Sequence, residues 1–546
     1  MAWYDEAIFY HIYPLGLTGA EKQNSYTEPN HRLRDVFPWI DHIKESGFNA
    51  IYIGPLFESV GHGYETTDYK KLDSRLGDNA DLTEFVSICH KKGIRVILDG
   101  VFNHTGRDFF AFQDIKSNRE NSPYKDWYCN VNFWGNNEYN DGFSYDNWGG
   151  YNLLAKLNQH NSHVRDYICD VIRFWVKEFD IDGIRLDAAD VLDFNYMQAL
   201  RAVANEVKED FWLMGEVIHG DYSRWANDGT LHSVTNYQLH KALYSGHNDH
   251  NFFEIAHTVK RLNDMFGSKL KLYNFVDNHD VERIYTKIKN KAHFNPVHIL
   301  LYTLPGIPSV YYGSEFAIDG KKERHSDDSL RPYLSYKEYS EKAKTNEYVK
   351  LISALGKIRQ NTPALSYGDY KEVRLTCEQY VFSRTLNGES IFVAVNNSDN
   401  DATLSFPAPA GEYQGALFGT KAKSDGSLNI TIPANSGEIW ILTGSAKAVT
   451  PLKPIIAPKT KPIESAEKAK APEIVPQTKP EVKKVEIKKS IQVPTNKYYE
   501  DMSVEELQQT ILNKMAKNGP VTDYMKKTVY DNNHHGSLVN WARSFN

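Results

Sequence analysis

The feature that most constrains this chain is a long alternation of two periods. From residue 5 to about 360, short apolar runs alternate with amphipathic segments of helical repeat. Ile8–Tyr13, Ala50–Ile53, Arg95–Leu98, Gly183–Leu186, Trp212–Met214, Leu272–Val276 and Ser309–Tyr312 read as buried strands, with a weaker one near His232–Asn236. Helices lie between them, among them Asp81–Lys92 and His163–Phe179, and the latter sets Val164, Ile168, Val171, Ile172 and Trp175 along one face. Strands that alternate with helices form a parallel sheet covered by helices, and eight such units predict an α/β fold closed into a (β/α)8 TIM barrel. One connection is too long to be a simple link. From about residue 105 to 158 the chain is rich in Asn, Asp, Gly, Trp and Tyr, so a lobe over the barrel mouth is expected after strand 3.

The period changes after the barrel. Short alternating or apolar runs such as QYVFSRTL, SIFVAVNN and EIWILTG, separated by Asn-Gly, Pro and Gly turns, predict a C-terminal all-β sandwich. The expected layout is a (β/α)8 barrel over 1–365 with its inserted lobe at 105–158, a sandwich over 366–445, a linker over 446–495 and a helical tail module over 496–546. The linker is rich in Pro, Lys and Glu, a composition that buries no core and reads as a disordered tether. In the tail, Ser503 and Glu506 have the spacing of a capping box, and Met502 is placed to staple onto Leu507. Val504, Leu507, Ile511 and Met515 line an apolar face with nothing adjacent in sequence to bury it, so docking on the chain's own surface or on a protein partner is expected.

Charge and cysteine usage narrow the class of protein. A net charge of −7 gives no reason to expect nucleic acid or an anionic membrane as partner. No run approaches the ~20 apolar residues of a membrane span, and the N-terminus shows neither a charged nor an apolar signal region. Cys89, Cys129, Cys169 and Cys377 lie far apart and read as free thiols. A cytoplasmic location is the expectation.

Four acids fall at the C-terminal ends of predicted strands, the face where this fold carries its active sites. They are Asp99 in VILDGVFNH, Asp187 in GIRLDAADV, Glu216 in LMGEVIH and Asp280 in FVDNHD, with His104 and His279 beside two of them. Cleavage of a glycosidic bond needs two carboxyl groups, one ionised and one protonated, and strands 4 and 5 supply neighbours at the spacing of a retaining mechanism. Arg185 and Asp187 point to the same side of their strand, so a guanidinium is expected to keep Asp187 ionised. Glu216 has no such cation next to it in sequence, which favours its protonated form.

These segments resemble the signature regions of glycoside hydrolase family 13, the α-amylase family. The matching stretches are DGVFNH (99–104), GIRLDAADV (183–191), GEVIH (215–219) and FVDNHD (275–280), with GHGYETTDY (61–69) and GIPSVYYGSE (306–315) in support. The resemblance implies Asp187 as nucleophile, Glu216 as general acid/base and Asp280 as the third carboxylate, holding sugar hydroxyls at the reacting unit. It further implies that Tyr64 stacks under that sugar and that His104, Arg185 and His279 complete the site, with Asp99 and Asn103 as supports. LLAKLN (153–158) and residues 111–128 resemble the cyclomaltodextrinase and neopullulanase branch, here without its N-terminal β-domain. That branch usually has Trp where this chain has Ile218, which makes Ile218 and His219 the residues that shape the acceptor side. The implied function is retaining hydrolysis of α-1,4 bonds in linear or cyclic maltodextrins. The alternatives are a transglycosylase of the same family and an inactive glucan-binding scaffold. Many α-amylases bind calcium through an Asn like Asn103 and a His just after the nucleophile region; DAADV lacks that His, so neither calcium nor any other metal or cofactor is expected.

Overall fold

The computed structural model describes residues 2–266, 271–324, 326–443, 502–518, 529–530 and 538. Eight parallel strands form one sheet: β1 (Phe9–Ile12), β2 (Ala50–Ile53), β3 (Arg95–Gly100), β4 (Gly183–Leu186), β5 (Trp212–Gly215), β6 (Ser233–Val234), β7 (Tyr273–Phe275) and β8 (Ile307–Tyr311). Their order along the sheet is β6-β5-β4-β3-β2-β1-β8-β7. A parallel bridge between Thr235 and Tyr273 joins the two ends, and the Asn236 N–H donates to the Tyr273 carbonyl at 2.9 Å. The sheet is therefore a barrel, as eight βα units require.

Side-chain alternation sorts each strand into two faces. Phe9, Ala50, Tyr52, Ile97, Trp212, Met214, Tyr273, Phe275 and Ile307 pack against one another inside the barrel. Their neighbours Ile8, Ile51, Val96, Leu98, Ile184, Leu186 and Leu213 face out, into the layer covered by helices. The helix Ser162–Phe179 shows why the coat forms. Asn161 caps its first turn by accepting from the His163 N–H, Asp180 ends it in a left-handed conformation, and Val164, Ile168, Val171, Ile172 and Trp175 are all buried. Trp175 stacks on Phe57 with ring centroids 4.3 Å apart.

After β3 the chain rises into the inserted lobe. His104–Thr105, Asn147–Trp148 and Tyr151–Lys156 make a small antiparallel sheet, beside the helix Phe110–Asn118. Phe112, Tyr128, Phe143 and Tyr145 are buried within it, and Arg107 pairs with Asp141 at 2.6 Å. A two-stranded ribbon, Phe57–Ser59 with Thr66–Leu72, stands after β2 and was not anticipated. The ribbon's turn carries Tyr64.

The C-terminal domain is an eight-stranded antiparallel β structure running from Asp369–Leu375 to Ser436–Leu442. It packs on the buried helix Phe294–Thr303 of the barrel coat, where Arg384 Nη1 donates to the Thr303 carbonyl at 2.8 Å. All four cysteines are free.

The remainder of the chain, residues 463–546, is a separate unit, and the proposed linker over 446–495 lies outside the described residues. The helix Val504–Asn518 begins with the expected capping box: Glu506 Oε2 accepts from the Ser503 N–H at 2.7 Å, and Ser503 Oγ accepts from the Glu506 N–H at 3.2 Å. Its apolar face is not left open as the sequence suggested. Leu507 and Ile511 are fully buried in a cluster with Met502, Val529 and Leu538, so downstream residues of the same unit cover it.

Candidate active site

The register of β4 and β5 places the two reacting carboxylates of the sequence reading. Arg185 pairs with Met214 and Leu186 with Gly215, so Asp187 and Glu216 are the next residues on adjacent strands. The Glu216 N–H donates to the Leu186 carbonyl at 2.9 Å, which carries the ladder one step past the named strands. Parallel neighbours stand roughly 4.8 Å apart, close to the ~5–5.5 Å between carboxyl groups that direct attack requires.

Arg185 lies at the centre. Its Nη1 donates to Asp99 Oδ1 at 2.8 Å and to Asp187 Oδ1 at 2.9 Å. Its Nη2 sits 2.8 Å from Glu216 Oε2. Two expectations from sequence are thereby corrected. Glu216 does have a cation beside it, delivered across the sheet rather than along the chain. Nor does Arg185 belong to Asp187 alone. Burial, followed by the charges of Glu216, Asp99 and Asp280, pushes the Asp187 carboxyl well above the ordinary range, and a guanidinium shared among three carboxylates only partly opposes this. Glu216 also accepts from the Ala188 N–H at 3.1 Å and the Tyr237 hydroxyl at 3.4 Å.

The opposite wall is built from β7 and the ribbon. His279 Nε2 is 3.0 Å from Asp280 Oδ2 and bonds to the Tyr64 hydroxyl. That hydroxyl also reaches Asp99 Oδ2 at 3.0 Å, and the Tyr64 and His279 rings stack with centroids 5.6 Å apart. Arg331 Nη2 donates to Asp280 Oδ1 at 2.9 Å. Against the cost of burial, His279, Arg331 and Arg185 together hold Asp280 well below the usual carboxylate range. His104 is buried, with Nε2 against the Tyr64 carbonyl at 3.1 Å, and burial drives its imidazole down to about 3, so it is neutral. Seven of the eight predicted site residues are thus joined in one network of contacts. His219 does not join them: it is exposed on the loop after β5, beyond Ile218.

A match to the alpha amylase catalytic domain covers residues 23–354, and a match to the alpha-amylase C-terminal domain covers 368–440. The chain belongs to the α-amylase family. A cyclomaltodextrinase of Thermoanaerobacter pseudethanolicus is 31% identical over 433 residues, covering 74% of this chain and 72% of that protein. An intracellular maltogenic amylase of Bacillus subtilis is 28% identical over 374 residues, covering 67% and 62%. Among solved structures, the Nostoc punctiforme debranching enzyme superposes with a TM-score of 0.69 at 27% identity, covering 80% of this chain and 98% of that one.

For an α-amylase-family member, the surroundings of Asn103 bear on calcium. Its Oδ1 accepts from Gln159 Nε2 at 3.1 Å, while Gln159 Oε1 accepts from the Asp193 N–H at 2.6 Å. The Asn103 oxygen is thus engaged by an N–H donor within the protein. Among the described residues, one group has metal-ligand spacing, His31, Asp78 and Asp81. Asp81 there is engaged by Arg34 at 2.7 Å, and Asp78 and Asp81 cap the helix Asn79–Lys91, so the group reads as structure.

The sequence reading missed three members of this family site. Tyr13, at the end of β1, stacks on His279 at 5.9 Å and carries Arg331 over its ring at 4.7 Å. Its strand-end position was the available signal. Tyr237 opens the helix Tyr237–Asn248 after β6 and Arg331 lies in the loop after β8, and only the fold brings them in.

Proposed function

We propose that the chain hydrolyses α-1,4-glucosidic bonds of short linear or cyclic maltodextrins with net retention. The observation that carries this is the Arg185 fork, which holds Asp187 and Glu216 side by side at the barrel mouth through 2.9 and 2.8 Å contacts. Asp187 is the nucleophile: its carboxylate attacks the anomeric carbon and forms a glycosyl-enzyme ester. Glu216 is the general acid, protonating the departing glycosidic oxygen, and then the base that takes a proton from the incoming water. In the reacting state Asp187 is ionised and Glu216 carries the proton that it gives to the departing oxygen. Asp280, fixed ionised by His279 and Arg331, accepts hydroxyl hydrogen bonds from the sugar at the reacting unit. Tyr64 lies beneath that sugar, and His279 together with the neutral His104 completes its polar contacts.

The relatives' names support the substrate class, as does the grouping of Asp187, Glu216 and Asp280 with the Tyr64 ring. The reaction needs no metal. No helix among the described residues is long and apolar enough to cross a membrane. The name of the Bacillus subtilis relative favours a cytoplasmic location. Transfer to a second sugar is the alternative outcome of the same intermediate. It is favoured by Ile218, an aliphatic side chain 39% exposed on the acceptor side.

Asp187→Asn and Glu216→Gln test the assignment. Each is expected to lower kcat on maltoheptaose by about three orders of magnitude or more while leaving the melting temperature nearly unchanged, because each removes a whole chemical role. Near-normal turnover by either variant would overturn it. Chromatography of products from maltoheptaose, β-cyclodextrin and pullulan separates hydrolysis from transfer.

A further inference from the structure

The loop after β8 returns to the mouth as a pinned strap. Arg283 Nη2 donates to the Leu330 carbonyl at 2.9 Å, the Tyr312 hydroxyl to the Pro332 carbonyl at 2.9 Å, and the Leu334 N–H to the Leu17 carbonyl at 3.3 Å. Leu330 and Leu334 are buried, while Tyr333 between them is 62% exposed. Two glycines let the strap lie this close. A Cβ on Gly16 would come within 2.4 Å of the Arg331 carbonyl, and one on Gly19 within 3.1 Å of the Tyr333 ring. The Tyr333 ring therefore lies against bare main chain at Gly19, with most of the residue open to solvent.

Tyr333 follows Arg331 by two residues, so their Cα atoms are at most about 7 Å apart. Arg331 itself holds Asp280 and the His279 carbonyl, at 2.9 and 3.0 Å. An exposed aromatic ring thus stands close along the chain to the residue that holds Asp280. The C–H face of a pyranose packs on such a ring, and a tyrosine held on both sides by pinned backbone loses little freedom in doing so.

We propose that Tyr333 is a substrate-positioning residue, a stacking platform for a glucosyl unit of an α-1,4-glucan beyond the unit held by Asp280. This rests on the maltodextrin reading above. A chain long enough to reach Tyr333 gains affinity from it, and a short one does not.

Calorimetric binding to full-length Glu216→Gln protein tests this without turnover, so failure of the hydrolase reading, seen in wild-type product analysis, stays distinguishable. Adding Tyr333→Ala is expected to weaken maltoheptaose binding by about tenfold and to change maltotriose binding by less than about twofold. Tyr333→Phe and Tyr333→Trp should retain the affinity for the long chain, since the ring and not the hydroxyl makes the contact. An equal loss for both sugars, no loss for either, or a failure of Phe to preserve binding would each overturn the proposal.

Discussion

At the scale of single residues, the site turns on one cation facing three carboxylates. Arg185 is almost wholly buried and reaches Asp99, Asp187 and Glu216 at once. Asp187 must be ionised to attack, yet burial and its acidic neighbours raise its affinity for a proton. A raised value means the carboxyl is protonated below it, so kcat/KM falls as pH falls through that value. The acid limb of the pH profile is therefore expected above the ordinary aspartate value of about 3.9. Asp99→Asn, which removes one of the charges responsible, should move the limb to lower pH. A wild-type limb at the ordinary value, or a shift upward in the variant, would contradict this electrostatic picture. Asp187, Glu216 and Asp280 were legible in the sequence because strand ends mark the active face of a barrel. The sharing of Arg185 was not, because it depends on the β4–β5 register, in which Arg185 meets Met214 and Glu216 follows two residues on.

At the scale of elements, Gln159 links three pieces of backbone. It joins Asn103 in the loop after β3 to Asp193, which caps the helix Phe194–Val207, from its own place just past the last strand of the lobe. These bonds are made by neutral amides within the protein and ask for no ion. Dialysis against EDTA is thus expected to leave both turnover and melting temperature unchanged, whereas a loss restored by calcium would show that a cation and not Gln159 braces the lobe. The barrel strands were legible as short apolar runs, buried at every position in β1, β2, β4 and β5, and the helix Ser162–Phe179 because its burial follows a period of 3.6. The ribbon strand Thr66–Leu72 escaped notice for a physical reason: its residues are buried at every third position, a pattern that matches no ordinary strand. β6 was faint because it is two residues long and is held by its neighbours rather than by its own apolar content.

At the scale of the whole molecule, the barrel and the C-terminal β domain share a buried boundary along the helix Phe294–Thr303. The unit over residues 463–546 has a core of its own in Met502, Leu507, Ile511, Val529 and Leu538. A chain ended at Gly444 is therefore expected to keep its melting temperature to within about 5 °C and its turnover of maltoheptaose. A larger fall would show that the tail supports the catalytic unit. Composition foretold the change from βα units to a β domain near residue 366, since alternation and turn residues replace helical periods there. Closure of the barrel was inferred from the count of units, and it is realised by a contact between Thr235 and Tyr273 that no local pattern encodes. The covering of the tail helix by Val529 and Leu538 was hidden for a similar reason, as it depends on residues well beyond the helix itself.

The central claim is a double displacement through Asp187, and the configuration of the first product reports on it most directly. Two inversions at the anomeric carbon restore the α configuration, whereas a single attack by water gives β. Proton NMR of maltoheptaose or β-cyclodextrin cleavage, recorded before mutarotation, is predicted to show the α-anomer first. An initial build-up of β-anomer would contradict the account.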